Sequence, residues 1–185
     1  PASNESATNM DAYFQSLLYT PTDRFSYTQS TTQFTQFFAD GTRTGYGYSL
    51  GFADAAQTVL QVRLVEPQSP VAAAGLLRGD TIVSIDGYTG AQIVAGALAT
   101  VEAAGVARSF TVRDAAGTLR SFTVTSAKYP LTPVHHASVL TAANGAKVAY
   151  LAYQMFIASS ASALGTAFNT FQAAGVTELI VDLRY

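Results

Sequence analysis

The sequence contains no cysteine. That excludes disulfides, thiol nucleophiles and cysteine-ligated zinc or iron–sulfur sites. Charge is scarce as well: 12% of residues are charged and the net charge is −2, so nothing in the composition attracts nucleic acid or anionic lipid. Long apolar runs are missing too, none approaching the roughly 20 residues of a membrane-spanning helix. No basic, apolar and cleavage-site succession of a signal peptide stands at the N-terminus. What is present is a hydrophobic fraction of 49% over 185 residues, enough to bury a core in one large domain or two small ones.

The opening PASNESATN is small, polar and patternless, as in a linker left after a signal or lipid anchor is removed, or an arbitrary boundary. From Met10 to Asp40 the text turns aromatic. Tyr13, Phe14, Leu17 and Leu18 recur at helical spacing with Pro21 as terminator, and Thr31, Phe34, Phe37 and Phe38 predict a second short helix closing at Asp40-Gly41. Two small helices with apolar faces need a body to cap.

The stretch 42–128 predicts a strand in TVLQVRLVEP, a short helix in SPVAAAG, a turn and strand in LLRGDTIVSIDG, a helix over Ala91 to Ala104, and a hairpin turning at Asp114 to Gly117. Residues 129–185 open with a linker from Pro130 to Pro133. A strand (KVAYLAYQMF), a helix closed by Gly175 and a second, nearly all-apolar strand (TELIVDLRY) then form one β-α-β unit. The fold class expected is α+β, in three parts: 1–41, 42–128 and 129–185. Two strands and one helix leave sheet edges bare, so the buried-type strand at Leu179 to Leu183 is expected to need further neighbours.

The stretch SPVAAAGLLRGDTIVSIDG, Ser69 to Gly87, resembles the segment by which PDZ domains are recognised. Ala72 to Ala74 let the helix lie close to the sheet, Gly75 supplies its cap, Gly79-Asp80 the tight turn, and Ile82, Val83 and Ile85 the core. The resemblance implies a small, partly open β-barrel with two helices that binds a peptide C-terminus by strand addition, with a loop of backbone N–H groups holding the carboxylate. Gly45-Tyr46-Gly47-Tyr48 is the candidate loop, with Ser49 to Phe52 as an alternative frame. Arg43 is a candidate second contact for the carboxylate, and Leu50, Val94 and Leu98 for the side-chain groove. A dinucleotide-binding reading of these glycines fails, because that fingerprint needs a strand before and a helix after.

With its flanks, the chain resembles the C-terminal processing, or tail-specific, serine peptidases, most diagnostically in the terminal DLRY. The resemblance implies the front half of an exported enzyme, periplasmic or lipid-anchored at a bacterial cell envelope, whose partners are the C-termini of protein substrates. Homo-oligomerisation stays open, and no cofactor or metal is implied. In that family a glycine-rich loop, a nucleophilic serine and a general-base lysine follow the DLRY stretch, so no catalytic residue carries over, and binding without cleavage is expected. The competing reading is a non-catalytic PDZ-type peptide-binding protein with a degenerate peptidase-like region.

Other polar residues receive structural readings. Ser159, Ser160 and Ser162 are expected to cap a helix; Lys128 and Lys147 are solvated; adjacent His135 and His136 point to opposite sides of an extended segment and make no ready metal site. Asp182 and Arg184 are expected to pair. Arg78-Gly79-Asp80 is a turn.

Overall fold

The computed structural model describes residues 10–19, 22–23, 25–98, 100–101 and 103–184. Pro21, Tyr185 and the PASNESATN opening lie outside these residues. The N-terminal part holds helix α1 (Met10–Leu17) and helix α2 (Thr31–Phe34), which runs on as a π-helical turn over Thr35–Ala39. Ser30 starts α2 through a capping box with Gln33, and Gly41, at φ +62°, turns the chain out of the helix. The aromatic periodicity finds its use here: Phe37 and Phe38 pack against Tyr129, Leu131, Met155 and Ile157, capping the junction between the second and third parts.

The second part is built on a sheet of order β2-β3-β4-β6-β7, comprising β2 (Tyr48–Phe52), β3 (Leu60–Val65), β4 (Thr81–Ile85), β6 (Ala107–Arg113) and β7 (Leu119–Thr125), with β5 (Tyr88–Thr89) beside β4. Strand β1 (Thr42–Gly45) pairs instead with β8 (Ala127–Pro130). The sheets stay open, so the architecture is the partly open α+β arrangement expected. β8 carries this part across the 128/129 boundary set from sequence. Helix α3 (Pro70–Ala73) starts at Ser69, whose hydroxyl accepts from the Ala72 N–H, and ends at Gly75 with φ +81°. Phe110, Ile85, Val62, Val71 and Leu76 form the dry centre of this part.

One helix is much shorter than expected. Helix α4 spans Gly90–Val94, not Ala91 to Ala104. Gly96, at φ +86°, closes it: its N–H donates to Ile93 and the Ala97 N–H to Gln92, the paired bonds of a Schellman cap. The apolar spacing through Leu98 and Val101 continues past the stop in irregular chain that still packs on the core. Ala99 and Glu102, within the expected helix, lie outside the described residues.

The third part holds an additional strand. Residues that follow the expected linker, and to which no strand was assigned from sequence, form β9 (Val134–Thr141), antiparallel to β10 (Lys147–Tyr153), which is joined through α5 (Ser160–Ala173) to the parallel β11 (Glu178–Asp182), giving the order β11-β10-β9. The His-His pair hid this strand by interrupting its apolar alternation. Helix α5 lays Ala167 and Phe171 on Ala149, Leu151 and Tyr153 of β10. Outside β10 the cover is thin: Leu179, Ile180 and Val181 of β11 are 42%, 49% and 47% exposed.

Candidate functional site

The loop joining β1 to β2 is held by its carbonyls. The Tyr46 C=O accepts from the Val71 N–H at 3.1 Å, and the Gly47 C=O from the Glu66 N–H at 2.8 Å and the Ser69 hydroxyl at 3.3 Å. In a trans peptide the C=O of one residue and the N–H of the next point in opposite directions. Both carbonyls face the body of the second part, so the N–H groups of Gly47 and Tyr48 face away from it. Two successive N–H groups on one side make an anion-binding concavity. Gly45 and Gly47 supply the required backbone, at φ +150° and +89°, and a Cβ on Gly47 would stand 2.0 Å from Ser69 Cβ.

These residues open on a cavity of about 270 Å³. One wall is Gly45 to Tyr48 with Arg43 and Thr44, and the other is Ile93, Leu98, Thr100 and Val101 from α4 and the chain after it. Among the described residues β2 is the last strand of its sheet, and its first residue, Tyr48, stands on this cleft. A second cavity, of about 420 Å³, lies between the N-terminal part and the same wall, and shares Arg43, Thr44, Thr100 and Val101 with the first. Arg43 therefore stands at the junction of the two.

Of the residues singled out from sequence, Arg43, Gly45, Tyr46, Gly47, Tyr48 and Leu98 line one cavity. Leu50 does not; it packs against the apolar core. Val94 is 54% exposed, while Ile93, one position earlier, lines the groove, because the short α4 turns that face inward. Ser49, in the alternative loop frame, sits inside β2 and pairs with Leu64.

Sequence reading missed Arg108. It lines the groove at 9% exposure, with its guanidinium 5.4 Å from the Tyr46 ring centroid and Nε 3.3 Å from Asp86 Oδ2. The signal was present: in ARSFTVR, alternation places Arg108 on the same face as Phe110 and Val112, both fully buried. Burial pushes the phenol of Tyr48 up, opposed by the charge of Arg108 and by a hydrogen bond with it; burial raises that of Tyr46 too.

The serines do not cap α5 as expected. Ser159 holds the N-cap position without a side-chain bond to the helix. The buried Ser160 hydroxyl instead donates to Met155 C=O at 2.7 Å and accepts from the Ile157 N–H at 3.1 Å, closing the turn before the helix. Lys147 Nζ donates to the Ala174 carbonyl at the far end of β10. Asp182 and Arg184 pair as expected, at 2.7 Å. Hydrogen bonds from Arg184, then from the Tyr150 hydroxyl, hold the Asp182 carboxyl far below the usual carboxylate range. His135 is lowered by burial and by the charges of Arg78 and His136. Among the described residues no three His, Asp or Glu side chains are placed to hold a metal ion, and no helix is long and apolar enough to cross a membrane.

No protein-family model matches the sequence, and no curated protein matches it significantly. Solved structures do match. A photosystem II D1 C-terminal processing protease aligns at 24% identity and TM-score 0.53 over 80% of this chain and 41% of that one. A Bacteroides fragilis protein described as an S41 protease aligns at 24% identity and TM-score 0.54 over 100% of this chain and 50% of that one. A peptide-bound PDZ domain of a carboxy-terminal protease from Vibrio cholerae aligns more loosely, at 18% identity and TM-score 0.39 over 49% of this chain and 99% of that one, too low to bear on the site. The chain thus spans half or less of the two proteases it matches. Over that span, its fold is the fold of C-terminal processing proteases.

Proposed function

We propose that this chain is the substrate-recognition half of an exported serine endopeptidase of the tail-specific type, and that its groove binds the C-termini of protein substrates. The observation that carries the reading is the pair of N–H groups at Gly47 and Tyr48, turned to the side of an open cleft beside the outer edge of β2. A peptide added along that edge places its carboxylate at the concavity, with Arg43 beside it and its last side chain between Tyr48, Ile93 and Leu98. The exported setting rests on the family resemblance alone.

The chain itself binds without cleaving. Ser160, the most buried of the α5 serines, has its hydroxyl engaged with backbone, and Lys147 lies across the length of β10 from it, so Lys147 is not the base that would activate it. Titration calorimetry with one peptide in free-acid and C-terminally amidated forms tests the reading. Binding of the free acid and at least about tenfold weaker binding of the amide are expected, since a charge-assisted acceptor is lost. Equal affinity for the two forms removes the carboxylate from the account.

A further inference from the structure

The cleft does not end at the loop between β1 and β2. Strand β2 leads away from that loop, from Tyr48 to Phe52, and β1 approaches it from the other side, through Arg43 and Thr44 to Gly45. The chain after α4 meets β1 there: a Cβ on Gly45 would stand 3.5 Å from the Val101 carbonyl oxygen. Arg43, Thr44, Thr100 and Val101 thus lie at the loop end of the groove, and these are the residues that the groove shares with the larger cavity. A peptide lying along β2 with its last residue at the Gly47 and Tyr48 N–H groups points onward into that cavity.

Size and chemistry mark the larger cavity as a ligand site. Its volume of about 420 Å³ falls within the range of about 300–1,000 Å³ usual for such sites, and it lies between two parts of the chain, where they are common. The groove alone, at about 270 Å³, falls short of that range. Of the described residues that line the larger cavity, seven are threonine or glutamine and one, Arg43, is charged. A hydroxyl or a carboxamide both donates and accepts hydrogen bonds. A wall of such groups suits an uncharged ligand that also offers both, as a peptide main chain with polar side chains does. Against hydrocarbon the same wall loses its hydrogen bonds to water and gains none.

We propose that the larger cavity is a subsite of the groove, that it takes the residues of a substrate lying beyond the N–H pair, and that it selects uncharged polar ones, Ser, Thr, Asn or Gln. The inference rests on the groove reading above and widens its substrate class. A chain that ends at the N–H pair places its carboxylate there. A chain that continues places a main-chain carbonyl there instead, and its following residues among Thr28, Gln36, Thr42 and Thr100. The cleft then reads a polar segment within a substrate as well as a substrate's end.

The test is fluorescence polarisation on one peptide labelled at its N-terminus, in four forms: the free acid, its amide, and free acids extended at the C-terminus by Ser-Gln or by Leu-Leu. The Ser-Gln form is expected to bind within about threefold of the short free acid, its new hydrogen bonds offsetting the displaced carboxylate. The Leu-Leu form should bind at least about tenfold more weakly than the Ser-Gln form, since it leaves the polar wall unpaired. Thr28→Trp, at an exposed residue outside the groove, fills the larger cavity. It should weaken the Ser-Gln form at least about tenfold, by excluding those hydrogen bonds, and leave the short free acid unchanged. The comparison of peptides on the unaltered chain needs no variant to fold. If the Ser-Gln form binds as weakly as the amide while the short free acid binds, or if Thr28→Trp leaves the Ser-Gln form unaffected, the groove reading stands and the subsite is wrong. If the Leu-Leu form binds as tightly as the Ser-Gln form, the polar substrate class is wrong. If none of the four binds, the groove and the subsite both fail.

Discussion

Glu66 and Gln154 join the second part of the chain to the third: the Gln154 amide donates from Nε2 to Glu66 Oε1 at 3.3 Å, between the end of β3 and the end of β10. The same glutamate accepts the Thr132 N–H through Oε2 at 3.2 Å and, through its own N–H, holds the Gly47 carbonyl of the loop between β1 and β2 at 2.8 Å. One buried residue thus touches the loop, the connecting segment and the second sheet.

Burial raises the Glu66 carboxyl above its ordinary 4.5, opposed by its hydrogen bonds and by Arg43. A carboxyl raised in the folded state contributes stability that is fully present below its unfolded value and is lost as pH rises through the folded one. Glu66→Gln, neutral at every pH, should therefore gain melting temperature relative to the unaltered chain between about pH 4.5 and 7. Glu66→Leu leaves the Thr132 N–H without its acceptor and the Gln154 amide with the Thr132 carbonyl alone, and should cost about 1–3 kcal/mol. A relative loss for Glu66→Gln over that pH range would contradict the burial argument.

Gly47→Ala should damage the loop and α3 together. Its Cβ would collide with Ser69, the N-cap of α3, at a backbone conformation that suits glycine. Strain of this kind costs about 1–3 kcal/mol. Denaturant unfolding should show that loss, and peptide binding should weaken beyond it. Gly87→Ala, where φ is +81° but a Cβ meets nothing within 4 Å, serves as the comparison and should leave binding unchanged.

Asp80 anchors the turn read as Arg78-Gly79-Asp80. Its nearly inaccessible carboxylate accepts from Arg120 Nη2 at 2.6 Å and from the Leu77 N–H at 3.0 Å. Asp80→Ala leaves the Leu77 N–H without its acceptor and the Arg120 guanidinium with the Gly75 carbonyl alone, and should cost about 1–3 kcal/mol. Thermal unfolding of Asp80→Ala beside Asp80→Asn, which keeps one acceptor, checks it; the asparagine variant should lose less.

Much of this was legible in the chain. The Ser69 to Gly87 stretch became a capped helix, a tight turn and a buried strand because each signal is local: a serine N-cap, a left-handed glycine and an Asp that accepts N–H bonds within three residues. The parts that escaped depend on distant partners. β1 and β8 become strands only by pairing with each other across the whole second part, and β9 only by pairing with β10. The long helix expected after Thr89 failed because Gly96 ended it while Leu98 and Val101 kept the apolar spacing for packing without a helix. Arg108 was overlooked although its alternation with Phe110 and Val112 marked it.

Strand β11 should be the softest part of the second sheet. It pairs with β10, and Leu179, Ile180 and Val181 stay about half exposed, whereas β4 is covered by the Phe110 core. Amides that open locally exchange sooner. Hydrogen exchange should be faster over Leu179 to Asp182 than over Ile82 to Ile85; the reverse order in a demonstrated monomer would mean that β11 is held more firmly than its exposure implies.

The most direct measurement of the central claim is a backbone amide shift map of the isotope-labelled chain titrated with a free-acid peptide and, separately, its amidated form. The account predicts that the free acid moves the amides of Gly47 and Tyr48 most, with smaller shifts along β2 from Ser49 to Phe52 and at Ile93 and Leu98, and that amidation removes the Gly47 and Tyr48 shifts first. Shifts that leave those two amides in place, or that are the same for both peptides, would contradict it.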